Sequence, residues 1–238
     1  VDQAMSVTPL TLPSHSSMFT GLYPDRHGVR DNGRFLAADH ATLAEALGDQ
    51  GWQTSAFLAA VILHPTFGLA QGFDTYDAPF DLGRGGSIGD EILTRPAEAV
   101  VAAAGTWLEQ ARAEDPVLTW VHLYDPHLPL RPPPELLARY GDPYTAEVAR
   151  VDGAVGDLLR TYRALERDRP LVLAVLADHG EGQGEHGETT HGQFVYRSTM
   201  AVPMILQGPG LAPGVRTGSA SVADLMPTVL DLAGQPVP

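Results

Sequence analysis

Stretches of apolar residues alternate with stretches that carry apolar residues at helical spacing along most of the chain. A continuous run of seven apolar residues at 171–177 predicts a strand covered on both faces. Shorter β-rich runs predict three further strands: 53–59, 117–123 and 203–207. Helical spacing and end signals predict five helices: 14–20, 42–50, 95–113, 144–165 and 223–233.

Strands separated by helices favour a largely parallel sheet with helices on both faces. We therefore expect an α/β fold, a three-layer α/β/α sandwich around a central, mostly parallel sheet. At 238 residues with 44% hydrophobic content, the chain is long enough for one sizeable core, and a single domain over 1–238 is expected. A proline-rich stretch at 129–134 and a glycine-rich stretch at 83–89 predict loops.

The helix predicted over 144–165 has an amphipathic pattern. Its predicted buried face consists of apolar and aromatic residues at helical spacing: Val148, Val151, Val155, Leu158, Leu159 and Tyr162.

Asp178 and His179 follow the apolar run directly. Ionisable groups at the end of a buried strand are costly to desolvate without a partner, and a divalent metal is a partner that both can share. A carboxylate oxygen with an imidazole nitrogen suits zinc, manganese or iron. The alternative is a strand-terminal aspartate that caps the next turn, with solvated loop histidines beside it.

A second strand end carries Asp125 and His127, and parallel sheets bind ligands at the carboxyl ends of their strands. Thr11 lies ahead of the first predicted helix, where backbone N–H groups and the helix dipole favour an anion. Its hydroxyl is therefore a candidate nucleophile if a metal also contacts it. Ser14 is the predicted N-cap of this helix and Gly21 its stop, and the alternative for Thr11 is that it only competes with Ser14 to cap the helix.

Composition removes several classes of function. The formal net charge of -14 argues against a general nucleic-acid-binding surface. The chain has no cysteine, so thiol nucleophiles, disulfides and thiolate metal sites are excluded within it. All 15 basic residues are arginine, which excludes a catalytic lysine, and no run of eighteen apolar residues predicts a membrane span.

Ordered short motifs extend over almost the whole chain. They are Thr11-Leu12-Pro13-Ser14-His15, Thr20-Gly21-Leu22-Tyr23-Pro24, His27-Gly28-Val29, Gly51-Trp52-Gln53-Thr54, Gly72-Phe73-Asp74, Asp125-Pro126-His127-Leu128-Pro129, Asp178-His179-Gly180-Glu181, Val202-Pro203 and Asp224-Leu225-Met226-Pro227-Thr228. In this order they resemble the sulfatase family of the alkaline phosphatase superfamily.

The resemblance implies an alkaline-phosphatase-like fold and a role for each matched residue. Thr11 would be nucleophile and metal ligand, and Asp178 and His179 would be metal ligands. His127 and His191 would contact the transferred anion or a second metal, with His127 also the candidate to protonate the leaving alcohol. His15 replaces the arginine that supports the nucleophile in sulfatases and would orient or bind the anion.

The departures from the family pattern change the expected chemistry. Threonine stands where sulfatases carry the cysteine converted to formylglycine, so the aldehyde-hydrate mechanism is excluded. The active-site lysines of sulfatases are also missing. The family's first strand, which ends in metal-binding aspartates, is expected upstream of Val1. The chain is therefore expected to be a fragment that also lacks the C-terminal subdomain, and inactivity of the fragment alone is one expected outcome.

Three functions follow from this comparison. The first is a metal-dependent hydrolase of sulfate, phosphate or phosphonate esters, with zinc, manganese or calcium as cofactor and a small-molecule, lipid or glycan ester as substrate. The second is a phosphoethanolamine-type transferase that uses the same Thr11 adduct, as the spacing of His179 and His191 allows. The third is a non-catalytic sulfatase-like domain.

Overall fold

The computed structural model describes residues 1–82, 94–165 and 170–238 of the chain. The helices are α1 Thr11–Thr20, α2 Pro24–His27, α3 Leu43–Gly48, α4 Ala97–Gln110, α5 Pro134–Tyr140, α6 Pro143–Ala164, α7 Arg197–Met200 and α8 Leu225–Leu232. The strands are β1 Gln3–Met5, β2 Gln53–Phe57, β3 Thr75–Asp77, β4 Val117–Val121, β5 Leu173–Leu176, β6 Met204–Gln207 and β7 Ser219–Ser221. The loop predicted at 83–89 lies outside the described residues.

The chain divides into two compact units. Unit 1 comprises residues 1–50, 66–72 and 169–238, and unit 2 comprises residues 51–65 and 73–168. None of the helices within the described ranges is long and apolar enough to cross a membrane.

Unit 2 contains a three-stranded parallel sheet in the order β3-β2-β4. Phe57 of β2 packs in a buried cluster with Val100 and Ala104 of α4, and Leu158 of α6 packs against it. The Trp107 indole N–H donates to Thr75 Oγ1 at 3.1 Å and so ties α4 to β3. The sheet, α4 and α6 therefore pack together through buried apolar side chains.

Unit 1 contains two strand pairs. β1 runs parallel to β7, and β5 runs antiparallel to β6. An isolated antiparallel bridge joins Met5 at the end of β1 to Ala201, just ahead of β6. Helix α1 is buried from Leu12 to Thr20 and packs against α8, so the segment that begins with Thr11 lies inside this unit's core.

The structure confirms the main predicted elements but corrects several details. The strand at 203–207 is present as β6, although it pairs antiparallel with β5. The predicted strand at 171–177 contracts to β5, and its four residues are half-buried rather than covered on both faces. Within the described residues β5 pairs with one strand, β6, so it lies at the edge of a two-stranded sheet.

Helix α6 agrees with its predicted bounds to one residue at each end, but its buried face differs from the prediction. Val148, placed on the buried face by its spacing, is 44% exposed. The fully buried positions are Ala146, Glu147 and Ala154. Two of these three are alanines, and α4 packs closely on α6, where the Thr161 side chain lies beside Gly105 of α4.

Candidate active site

Thr11 is the first residue of α1, three residues earlier than the sequence pattern predicts. Leu10 holds the N-cap position and makes no capping bond through its side chain. The side-chain oxygen of Asn32 accepts from the Leu12 N–H at 3.0 Å instead. The helix end that carries Thr11 is thus capped from a distant turn.

Ser14 is a helical residue, so its predicted role as N-cap is wrong. Its hydroxyl donates to the backbone oxygen of Asp178 at 2.7 Å, and the Ser6 hydroxyl donates to the same oxygen. Gly21 has φ 69° and ends the helix in the left-handed conformation, as predicted. Two buried serines therefore fix the backbone of Asp178 against the first turn of α1.

Asp178 and His179 follow β5, and the carboxylate of Asp178 lies close to two imidazoles. Its Oδ2 is 3.3 Å from His179 Nε2 and 3.6 Å from His15 Nδ1. Its Oδ1 accepts from the backbone N–H of His179 at 3.0 Å.

The hydrogen bonds of His179 determine which of its nitrogens carries the proton. Its Nδ1 lies 2.9 Å from the carbonyl oxygen of Gly180, and a carbonyl can only accept. The Nδ1–H therefore donates there, and the neutral ring has a lone pair on Nε2. That lone pair lies 3.3 Å from Thr11 Oγ1.

This donor set fits a divalent metal. Thr11 Oγ1 and Asp178 Oδ2 each lie 3.3 Å from His179 Nε2. When a tetrahedral ion binds two ligand atoms at about 2.0–2.1 Å each, those two atoms are about 3.3–3.4 Å apart. The Nε2 lone pair and the carboxylate oxygen are both acceptors, so their proximity requires a proton or a cation between them. The Nδ1–H bond to a carbonyl is also the usual support of a metal-bound histidine.

His15 lies beneath this site and is 4% exposed. Its Nδ1 donates to the backbone oxygen of Thr11 at 2.8 Å, one helical turn earlier. Burial lowers the pKa of His15, although the carboxylate of Asp178 acts in the opposite direction. A neutral imidazole thus occupies the position for which the sulfatase pattern has a permanently charged arginine.

His191 joins the site from the loop that follows His179. Its ring lies against the ring of His179, with the centroids 4.0 Å apart. Its Nδ1 donates to the backbone oxygen of Pro9 at 2.9 Å, two residues before Thr11. The structure thus brings five of the six candidate residues together within unit 1: Thr11, His15, Asp178, His179 and His191.

His127 belongs to unit 2, where its ring stacks on Tyr124 with the centroids 4.3 Å apart. Its Nδ1 donates to the backbone oxygen of Leu128 at 2.6 Å. Its role with the leaving alcohol stays a prediction.

Two residues with clear contacts were not expected from the sequence. Asn32, in the turn Asp31-Asn32-Gly33, caps α1, and Glu188 accepts backbone N–H groups beside the loop of His191. The motif Asp31-Asn32-Gly33 predicts only a turn, since a cap normally lies next to its helix in sequence. Neither contact has a local sequence signal.

Comparison with known proteins identifies the family. A family model described as Sulfatase matches residues 1–235. The ulvan-active sulfatase of Formosa agariphila is 24% identical over 282 aligned positions, which cover 99% of this chain and 54% of the relative. The chain spans about half the length, or less, of the curated relatives it matches.

Solved structures match with low sequence identity and a common fold. A protein in complex with its substrate D-glucosamine-2-N,6-O-disulfate matches with a TM-score of 0.79 and 18% identity, over 100% of this chain and 69% of that one. The phosphonate monoester hydrolase of Silicibacter pomeroyi matches with a TM-score of 0.74 and 19% identity, over 100% of this chain and 66% of that one.

These likenesses confirm the expected α/β fold of the alkaline-phosphatase-like type. Because the family model covers nearly the whole chain, the relationship does not depend on any single motif. The chain belongs to the sulfatase family.

Proposed function

We propose that this chain is the catalytic part of a metal-dependent hydrolase of sulfate, phosphate or phosphonate esters, with Thr11 as nucleophile. One observation carries the proposal: the Thr11 hydroxyl and the Asp178 carboxylate each lie 3.3 Å from Nε2 of His179. Family membership supports the ester-hydrolase class. That the chain acts as one sulfatase-like catalytic domain is part of the proposal.

In the proposed reaction, the Thr11 hydroxyl releases its proton to water, its Oγ1 attacks the sulfur or phosphorus atom, and the bond from that atom to the ester oxygen breaks in line with the attack. The leaving alcohol takes up a proton, for which His127 is the proposed donor. Water then hydrolyses the covalent Thr11 ester and restores the hydroxyl. A divalent cation held by Thr11, Asp178 and His179 would lower the pKa of the Thr11 hydroxyl and neutralise charge on the ester oxygens.

The neighbouring residues have supporting roles in this scheme. His15 donates to the Thr11 carbonyl and so orients the first turn of α1. With Nδ1 committed to Pro9, neutral His191 has its lone pair on Nε2, and a protonated ring would donate from Nε2 to an oxygen of the transferred anion. Zinc, manganese and calcium are the proposed cofactors, since the donor set combines two oxygens with one nitrogen.

The nucleophile is tested by comparing Thr11→Ala with Thr20→Ala. Both substitutions remove a threonine hydroxyl from α1, but Thr20 bonds within the helix, to the Ser16 carbonyl at 2.7 Å. With manganese or zinc and aryl sulfate, phosphate and phosphonate esters, we expect Thr11→Ala to abolish turnover and Thr20→Ala to retain it. Circular dichroism checks the fold of both. Undiminished turnover in Thr11→Ala contradicts the assignment.

A transferase is the second candidate, favoured by the contact between the His191 and His179 rings beside Thr11. Both functions share a Thr11 adduct, and they differ in what removes it. Mass spectrometry of a quenched reaction would detect the adduct, and its decay would be followed with and without an added alcohol. Transfer to the alcohol faster than to water supports the transferase. Absence of metal binding by calorimetry supports a non-catalytic domain.

A further inference from the structure

We propose that Glu188 is a positioning residue that fixes the loop carrying His191, so that the His191 ring lies against His179 in one tautomer. The expected effect of Glu188 on turnover rests on the proposed function. The expected effect on the loop and on the His191 tautomer does not.

Glu188 is 4% exposed, and it lies three residues before His191. Its Oε1 accepts from two consecutive backbone N–H groups, those of Gln193 at 3.0 Å and Phe194 at 3.1 Å. These donors lie two and three residues beyond His191. The carboxylate therefore closes a short loop with His191 near its middle.

The same loop is held against the segment after His179. The Gly182 N–H donates to the Thr190 carbonyl at 3.0 Å, and the Gly184 N–H donates to the Glu188 carbonyl at 3.0 Å. A Cβ on Gly182 would clash with the carbonyl oxygens of both Thr190 and Glu188. Only glycine at position 182 allows the two backbone segments to lie this close. The backbone that precedes His191 is therefore fixed independently of the Glu188 carboxylate.

On the far side, the Glu188 carboxylate accepts from the backbone N–H groups of Gln193 and Phe194, and the Thr199 hydroxyl donates to the Phe194 carbonyl at 3.1 Å. Gly192 has φ 98° and packs against the side chain of Leu10. The His191 Nδ1–H bond to Pro9 requires the ring to reach across to the segment before Thr11. If the N–H groups of residues 193 and 194 lose their acceptor, the chain after Gly192 can move, and the His191 ring can leave both contacts.

The contact depends on an acceptor oxygen more than on charge. Among the described residues, Glu188 Oε2 is buried and has no hydrogen-bond partner, so Oε1 makes both loop bonds. Glutamine retains one carbonyl oxygen of the same reach, whereas alanine retains none. Glu188→Gln should therefore preserve the loop and Glu188→Ala should release it.

Glu185 supplies a matched control. It lies in the same loop, and its carboxylate accepts from a backbone N–H, that of Gln183 at 2.7 Å, but its side chain is exposed. Glu185→Ala makes the same change in charge and side-chain length without touching the bonds to residues 193 and 194.

The first readout is independent of catalysis. Ring ¹⁵N NMR at about pH 8, where free imidazoles are neutral, reports which His191 nitrogen carries the proton. We expect the Nδ1-protonated form in the unaltered chain, in Glu188→Gln and in Glu185→Ala, and a mixture of tautomers in Glu188→Ala. The same single tautomer in Glu188→Ala would overturn the proposal, whether or not the chain turns over any ester.

The second readout is turnover of an aryl ester with the metal-loaded chain. Misplacing one group in a site by about 1 Å lowers turnover roughly 10- to 100-fold. We expect a loss of that size in kcat for Glu188→Ala with KM changed by less than about twofold. Glu188→Gln and Glu185→Ala should stay near the unaltered value. Equal losses in Glu188→Gln and Glu188→Ala would contradict a positioning role through the acceptor oxygen.

If circular dichroism shows that Glu188→Ala does not fold, Glu188→Asp is used to test the proposal instead. Aspartate keeps the charge but is one methylene shorter, so it cannot accept from both N–H groups at the present geometry. Mixed His191 tautomers and a reduced kcat in a folded Glu188→Asp support the proposal, and unchanged values oppose it. A chain without turnover but with the expected NMR result would contradict the proposed function alone.

Discussion

Asp178 and Asp125 each end an apolar stretch of sequence, and each has a histidine within two positions. Their carboxylates nevertheless have different neighbours. Around Asp178 in unit 1 lie two imidazoles, with the Thr11 hydroxyl beside one of them. Around Asp125 in unit 2 lies a guanidinium, since Arg150 Nη1 is 3.5 Å from Asp125 Oδ1.

Arg150 is itself shared among carboxylates. Two of its nitrogens bond the carboxylate of Glu98 at 2.7 Å each, and this bond is the main cause that lowers the pKa of Glu98. Burial raises the pKa of Asp125, with Arg150 acting in the opposite direction. Burial likewise raises the pKa of Glu147, which lies one turn before Arg150 on α6.

The difference shows that the same sequence signal can serve two purposes. At Asp125 the chain supplies its own cation, so the aspartate forms part of an ion-pair network between α4, α6 and the end of β4. At Asp178 the nearest side-chain groups are imidazoles, so the proposed divalent cation would complete the charge balance. The side chains that contact each aspartate, rather than the aspartate itself, distinguish a structural role from the proposed chemical one.

The largest expected effect separates the two aspartates directly. Asp178→Asn removes a negatively charged metal ligand beside His179 Nε2, and we expect zinc or manganese affinity to fall by at least about 100-fold. Asp125→Asn removes the same charge at the other strand end and should leave affinity within about threefold. Isothermal titration calorimetry on the two variants measures both. Equal losses of affinity would refute the distinction.

The sequence predicts the fold class and the longer elements because long elements repeat their signal. Helix α6 repeats its pattern over six turns, and its bounds agree with the prediction to one residue at each end. Strands β1, β3 and β7 have three residues each, too few for a period of two to stand out. They exist through pairing with distant segments, which no local pattern reports.

The candidate site could be predicted only where its residues lie in motifs. Thr11, Asp178 and His179 were found as motif members, and the structure places them in one cluster. The contacts of Asn32 and Glu188 were not predictable, because the donors of their hydrogen bonds are ordinary backbone N–H groups. The start of α1 was misplaced for the same reason, as a distant asparagine caps it.

A second prediction uses pH to separate the units, beginning with His27 of unit 1. The Val29 N–H donates to His27 Nδ1 at 3.1 Å, so Nε2–H donates to Ser17 Oγ at 3.0 Å. Burial lowers the pKa of His27 from 6.5 to about 4. The unfolded chain therefore binds a proton first as the pH falls, and stability is lost between about pH 6.5 and pH 4.

We expect this loss to reach about 3 kcal/mol below pH 4, from the size of the pKa change. Urea unfolding at several pH values measures this loss. In His27→Gln the free energy of unfolding should depend less on pH over the same range. His64, a half-buried histidine of unit 2, provides the control in His64→Gln, because His40 itself contributes to the low pKa of His27. An unchanged acid dependence in His27→Gln would assign the effect to other groups.

A third prediction concerns the cation of unit 2. Arg150→Met removes the guanidinium but keeps a long side chain, and it leaves Asp125 and Glu98 without their partner. Because the Glu98 side chain is 59% exposed and that of Asp125 is 15% exposed, the cost should lie below that of a fully buried pair. We expect about 2 kcal/mol at pH 7.

Arg160→Met is the matched control on the same helix, since Arg160 pairs with Asp157 at an exposed position. Its effect on urea unfolding should be within about 0.5 kcal/mol. A similar cost for both arginines would show that Arg150 contributes nothing beyond a surface pair.

The smallest expected effect has the opposite sign to that of His27. Because burial raises the pKa of Asp125, the folded chain holds that proton to a higher pH than the unfolded chain. The stabilisation is complete below the unfolded pKa of the aspartate and is lost as the pH rises through the folded pKa. Asp125→Asn removes this loss, so its stability relative to the unaltered chain should be higher at pH 7 than at pH 3.5. Urea unfolding at pH 3.5 and pH 7 measures this difference in stability between Asp125→Asn and the unaltered chain. If the relative stability of Asp125→Asn falls towards pH 7, Arg150 holds Asp125 charged. The two strand ends would then differ less than their contacts indicate.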